Sequence, residues 1–277
     1  MKIHHLSCGS MCPYGGKLVS GESGSAEIVC HVLLIETADS LVLIDTGLGT
    51  DDVAHPHRRL GPPFAAAFRP KAVLEETALH RVRALGFDPA DVHHIACTHL
   101  DLDHAGGLPD FPAADVHVFE LEQTAALKPS MRDRARYPKS HFAHGPRWAP
   151  HGPGGDRWFG FESIRLLPGA DPEILLIPLP GHSRGHCAVA VNDASTGQWL
   201  LHCGDAYFNR AEIATPPSCP PFLSVFQTAV AVDNTARRNN QGRLRELSRD
   251  HGDEVRLFCA HDPVELARHQ TLPAASA

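Results

Sequence analysis

An α/β sandwich is the fold class this chain predicts. Three observations point to it. Short β-rich runs recur along the whole length, and each ends in a polar residue. Amphipathic helical stretches separate several of them. The 277 residues, 43% hydrophobic and 21% charged, are enough to build a substantial core in one large domain. We therefore expect residues 1–277 to form a single domain of sheets flanked by helices.

The runs come in order. Ser40 to Ile44 (SLVLI) leads into Asp45-Thr46-Gly47, and His94 to Thr98 (HIACT) into His99. Glu173 to Leu179 (EILLIPL) is followed by Pro180-Gly181-His182. Cys187 to Val191, a turn at 192–197 and Gln198 to Cys203 read as a hairpin that ends at Gly204-Asp205. Val255 to Ala260 (VRLFCA) ends at His261. Between them, Lys71 to Gly86 places Val73, Leu74, Ala78, Leu79, Val82 and Leu85 largely on one helical face, with Gly86 as the stop. Leu244 and Leu247 fit a shorter helix before Gly252. Asp262-Pro263-Val264-Glu265 reads as a helix start, with Asp262 as cap and Glu265 closing a capping box. Two stretches break the pattern. Residues 128–161 are rich in Arg, His, Pro and Gly and read as a lid-like insertion, and the Pro-rich stretch 207–228 reads as an irregular loop.

Bulk properties narrow the function. A net charge of -7 disfavours nucleic acid and anionic membranes as partners, and the expected partner is a small-molecule substrate. No apolar run approaches the roughly 20 residues of a membrane span, and residues 1–16 lack the apolar stretch of a secretory signal, so the expected location is cytoplasmic. Cys30, Cys97, Cys187, Cys203 and Cys259 lie in strand-like surroundings and read as small buried hydrophobes. Cys8 and Cys12 form a C-x3-C pair in a Gly-containing loop, weak grounds for a redox or metal role.

The chemistry concentrates in Thr98-His99-Leu100-Asp101-Leu102-Asp103-His104. Its four metal-capable side chains fall within six residues directly after an apolar run. In an extended backbone His99 and Asp101 point to one side, while the chain turns at Asp103-His104 toward Ala105-Gly106-Gly107, so two adjacent ions fit better than one. His182, Asp205 and His261, each at a strand end, are further candidate ligands.

This pattern resembles the metallo-β-lactamase superfamily over about residues 28–265. The family motif H-x-H-x-D-H, a distant His, a bridging Asp and a final His align with His99, Asp101, Asp103, His104, His182 in LPGHSRGH, Asp205 in CGDA and His261 in CAHDP. The resemblance implies a four-layer αββα sandwich and two divalent ions, zinc by default with Mn or Fe as alternatives. His99, Asp101 and His182 would hold one, Asp103, His104 and His261 the other, and Asp205 would bridge. Asp45 in LIDTG matches an aspartate that supports the site by hydrogen bonding. Asp101 departs from the family's histidine. Either it ligates, favouring Mn or Fe, or it orients a water or a histidine. His186 reads as a support for the loop, and His31, His93, His94, His117 and His202 as structural.

The implied activity is a metal-dependent hydrolase acting on an ester-type carbonyl, with a lactone preferred. Single-domain lactonases share the HAGG run, the PGH-x-x-GH segment and an aromatic after the bridging Asp. Asp103 would shuttle the proton. Tyr207 is the candidate to polarise the carbonyl, although it lies one residue nearer the Asp than in that group. An iron-dependent redox enzyme and a glyoxalase II-like thioesterase are the alternatives, and a silent binding protein a third. Phe64, Phe68, Trp148, Trp158, Phe159 and Phe222 divide between pocket and core. Arg132, Arg134, Arg136 and Arg147 either attract a carboxylate or are solvated, and His55, His57, His141 and His144 read as loop residues. Monomer and dimer are both compatible with the sequence.

Overall fold

The computed structural model describes residues 2–21, 26–169 and 171–271. The first sheet runs in sequence order: β1 (Ile3–Met11), β2 (Ile28–Glu36), β3 (Leu41–Ile44), β4 (Val92–Ala96), β5 (Asp115–Phe119) and β6 (Arg147–His151). β1 to β3 pair antiparallel, and β3 to β6 pair parallel. The second sheet holds β7 (Asp156–Trp158), β8 (Phe161–Arg165), β9 (Ile174–Pro178), β10 (Cys187–Asp193), β11 (Gln198–His202) and β12 (Val255–Phe258), in the order β12-β11-β10-β9-β8-β7. The expected hairpin is β10–β11, and β12 joins β11 in parallel.

Strand alternation decides the layers. Leu33, Ile35, Val42 and Ile44 of the first sheet meet Ile174, Leu176, Val189, Val191 and Leu200 of the second. The intervening residues face outward. Leu34, Leu43, Ile95, Val116 and Val118 pack under two helices through Ala78, Val82, Ala125 and Ala126. Leu175, Ile177, Ala188, Ala190 and Leu201 pack under Leu244 and Leu247. The result is helix, sheet, sheet, helix, the four layers the motif implies.

The helices are α1 (Lys17–Ser20), α2 (Thr50–Ala54), α3 (Pro56–Arg59), α4 (Pro62–Phe68), α5 (Ala78–Ala84), α6 (Glu120–Leu127), α7 (Pro221–Val230), α8 (Asn234–Asp250) and α9 (Pro263–Thr271). Several differ from expectation. The helix expected from Lys71 begins only at Ala78, because Leu74–Glu76 is a single 3-10 turn and Thr77 has extended backbone. α8 is 17 residues long and is capped by Asp233, whose carboxylate accepts from the Ala236 N–H. Its first half has no apolar stripe because it buries Arg237, Asn240 and Gln241 in hydrogen bonds instead. Asp262 caps α9 as expected, but the Glu265 carboxylate accepts from the Cys259 N–H and from Tyr207 rather than closing a capping box.

The irregular stretches are also more ordered than the sequence suggests. Within 128–161, β6 extends the first sheet and β7 opens the second, so the long stretch outside the sheets is 128–146, with short connections at 152–155 and 159–160. Within 207–228, Pro221 starts α7. No helix among the described residues is long and apolar enough to cross a membrane.

Candidate metal centre

The site lies where the ends of β3, β4, β9, β11 and β12 converge, and each contributes through the residues just past its end. Asp205 sits at the middle of it. Around its Oδ2 are His99 Nε2 at 3.7 Å and His182 Nε2 at 3.4 Å. Asp101 Oδ2 completes that group, 3.4 Å from His99 Nε2 and 3.0 Å from His182 Nε2. Around Asp205 Oδ1 are His104 Nε2 at 3.2 Å and His261 Nε2 at 3.0 Å, with 3.4 Å between those two nitrogens. Asp103 Oδ2 lies 3.7 Å from His261 Nε2. All seven residues named from the motif therefore come together, in the two groups expected.

The spacing fits metal. A tetrahedral ion held at about 2.0–2.1 Å by each donor sets its donors about 3.3 Å apart, and the distances here range from 3.0 to 3.7 Å. His99 Nε2 and Asp205 Oδ1 are buried and make no hydrogen bond. Buried polar atoms left this way are costly, and a cation satisfies both. Imidazole and carboxylate donors suit zinc, manganese or iron.

Comparisons with known proteins identify the family. The sequence profile described as the metallo-beta-lactamase superfamily matches residues 26–255. The chain belongs to the metallo-beta-lactamase superfamily. Within that superfamily it is 41% identical over 271 residues to a probable metallo-hydrolase of Mycobacterium tuberculosis, covering 97% of this chain and 83% of the relative. It is 27% identical to the N-acyl homoserine lactonase AttM of Azorhizobium caulinodans, covering 95% of this chain and 94% of that protein. Among solved structures, an N-acyl homoserine lactone hydrolase with N-hexanoyl-L-homoserine bound at its catalytic metal centre superposes with a TM-score of 0.73. It is 21% identical, covering 98% of this chain and 97% of that one. AidC, a dizinc quorum-quenching lactonase, superposes with a TM-score of 0.61 at 15% identity, covering 98% of this chain and 88% of that one.

Around these seven side chains stands a layer of supporting groups. Asp45 Oδ1 accepts from the Thr98 N–H at 2.7 Å, and Oδ2 lies 2.8 Å from His104 Nδ1. Burial alone would raise its pKa, but the His104 ring overrides this and holds the carboxyl below its ordinary value. His104 therefore keeps its Nδ1 proton on Asp45 and turns Nε2 inward. His261 is fixed similarly, with Nδ1 2.8 Å from the Val29 carbonyl. His186 is not among the donors. It donates from Nδ1 to the Leu179 carbonyl and accepts the Asp205 N–H at Nε2, so it positions the central aspartate. Burial keeps this ring neutral, with a pKa well below the ordinary value. Gly204 is required here. Its φ is +52°, and a Cβ would lie 2.7 Å from His186 Nε2.

Tyr207 does not reach the site. It is fully buried in the core of the second sheet, where its hydroxyl donates to Glu265. The next residue, Phe208, faces the donors and stacks on His261 with ring centroids 5.0 Å apart. The one-residue offset from the lactonase spacing turns the tyrosine to the opposite face. Of the aromatics considered from sequence, Phe64 and Phe68 line a cavity of about 370 Å3 in front of the donors, joined by Met11, Ile28, Phe208 and Phe226. Trp158 and Phe159 pack in the second-sheet core and Trp148 against the first. Phe222 is largely exposed. Cys8 is buried, Cys12 only partly, and both are free thiols. Burial pushes the Cys8 thiol up, and neither belongs to the donor groups.

Three features had no sequence signal. Glu122, on α6, is fully buried and accepts from the Leu100 N–H, Tyr137 hydroxyl, Ser183 hydroxyl and Gly185 N–H at 2.7–3.1 Å. It thus ties the His99–His104 loop to the His182 loop through partners 15 to 63 residues distant. Among the insertion's arginines, Arg136 pairs directly with Asp101, whereas Arg147 is an exposed partner of Asp115. His141 is not a solvated loop residue but a buried one, 2.9 Å from Asp52, which also receives Arg59.

Proposed function

We propose that this metallo-hydrolase opens an ester-type carbonyl, with a lactone bearing an apolar acyl chain as its preferred substrate. The observation that carries this reading is the cavity, apolar along Met11, Ile28, Phe64, Phe68, Phe208 and Phe226, ending on the two donor groups. His99, Asp101, His182 and Asp205 would hold one ion, and Asp103, His104, His261 and Asp205 the other. Divalent metal held there would lower the pKa of a bound water and polarise the carbonyl.

The chain's own residues do the remainder. The apolar wall takes the acyl chain and excludes water from the reacting end. Phe208 holds the His261 ring by stacking and closes one side of the pocket. Asp103 lines the cavity and is partly exposed to it, so its carboxylate is placed to take a proton from the attacking water and pass it to the leaving alkoxide. With Tyr207 turned into the core, no tyrosine among the described residues lines the cavity. The names of the relatives support a lactone more than a thioester.

The test is a panel of acyl homoserine lactones, thioesters and phosphoesters, assayed after loading with Zn, Mn or Fe beside Asp205→Ala. Lactone opening faster than thioester or phosphoester cleavage, lost in Asp205→Ala, is the expected result. No lactone turnover with any metal, or full activity in Asp205→Ala, overturns the reading.

A further inference from the structure

Arg136 makes the two donor groups unequal. Its Nε lies 2.6 Å from Asp101 Oδ1, and its Nη2 donates to Asp101 Oδ2 at 2.8 Å. The same Nη2 is 2.7 Å from His182 Nε2. Its Nη1 donates to the backbone carbonyls of His182 at 3.0 Å and Val230 at 3.3 Å. Two of the four donor atoms in the first group thus already face a permanent cation, since guanidinium does not deprotonate in proteins. The donor atoms of the second group instead face one another and the Asp205 carboxylate.

The supporting contacts differ in the same sense. His104 and His261 each have a partner behind the ring, Asp45 and the Val29 carbonyl, which leaves Nε2 free to ligate. His182 Nδ1 is buried and has no hydrogen bond, so nothing behind the ring holds Nε2 toward an ion. Asp101 is also what anchors the arginine. A neutral imidazole at 101 would offer neither the charge nor the second oxygen of this bidentate pair.

We propose that the second group, Asp103, His104, His261 and Asp205, binds its ion tightly, whereas Arg136 competes for the donors of the first group and makes that position weak and exchangeable. The inference rests on reading both groups as metal sites. It assigns Arg136 as a positioning residue that sets the occupancy of the first position, and it makes the Asp101 variation part of a pair rather than an isolated change.

Metal content settles it without an activity assay. The full chain is equilibrated with zinc buffered over a range of free concentrations, and bound zinc per chain is counted by mass spectrometry. The native chain is expected to fill in two steps separated by about 10- to 100-fold in free zinc, the range typical of altered outer contacts. In Arg136→Gln the steps should converge because the weaker site tightens. Asp101→His, which removes the arginine's anchor, should converge as well, and it keeps the test decisive if Arg136→Gln does not fold. Two equal steps in the native chain, or an unchanged or wider separation in the folded variants, overturn the competition while leaving two-metal binding intact. A native chain that binds no zinc overturns both.

Discussion

Glu122→Gln is the perturbation whose cost the structure defines most fully. The carboxylate is fully buried and shares four donors between its oxygens, Leu100 and Tyr137 on Oε1, Ser183 and Gly185 on Oε2. An amide keeps the shape but replaces one acceptor with a donor. The tyrosine or serine hydroxyl on that side can rotate to accept, but the backbone N–H beside it cannot. One buried N–H left unpaired costs about 1–3 kcal/mol, and the remaining bonds lose their charge assistance. Relief from burying a charge offsets part of this, leaving a net loss of about 2–4 kcal/mol. Urea unfolding of metal-free protein measures it, because bound metal would add stability by mass action. The expected result is a lower midpoint with an unchanged slope, together with weaker zinc binding, since both ligand loops lose their tie. Tyr137→Phe should cost about 1 kcal/mol. A Glu122→Gln loss below about 0.5 kcal/mol would refute the idea that this carboxylate joins the two loops.

Three further outcomes follow from the same structure. Asp45→Asn removes the anion behind His104 and should weaken zinc at the tight position about 10- to 100-fold by chelator competition; unchanged affinity contradicts the support role. Burial raises Glu265 from 4.5 to about 7, so the folded chain keeps a proton there that the unfolded chain releases near 4.5. Its contribution to stability is therefore full below pH 4.5, falls as the pH rises to 7, and is flat above, a change of up to roughly 3 kcal/mol. Glu265→Gln, neutral throughout, should flatten that part of the profile, and an identical slope in native and variant would count against it. Leu223→Trp narrows the cavity beside Phe226 and should lower kcat/KM for decanoyl relative to butanoyl lactones by about tenfold or more, with little effect on the short substrate. Equal effects on both would place the acyl chain elsewhere.

The parts legible in the sequence are those written locally. Strand alternation at Leu33–Ile35 and Val42–Ile44 gives the two faces of the first sheet, and the strand-end motif picks out the seven side chains that converge around Asp205, with Asp45 behind them. What escaped depends on partners distant in sequence. Glu122 looks like any surface glutamate on a helix, because its four partners come from other loops. Arg136 sits among four arginines of similar appearance, and only folding brings one to Asp101. Tyr207 shows how a single register step decides a role, since its neighbour Phe208 takes the inward position. The first half of α8 was hidden because it buries polar side chains that satisfy one another, so hydrophobic periodicity is absent there.

The central claim is that one aspartate, Asp205, joins two metal positions at the end of an apolar cavity. Anomalous diffraction from crystals equilibrated with saturating zinc tests it most directly. Two peaks are expected, one among His99, Asp101, His182 and Asp205 Oδ2, the other among Asp103, His104, His261 and Asp205 Oδ1, roughly 3.5–4 Å apart. No peak beside Asp205, or zinc bound only at other residues, would contradict the claim.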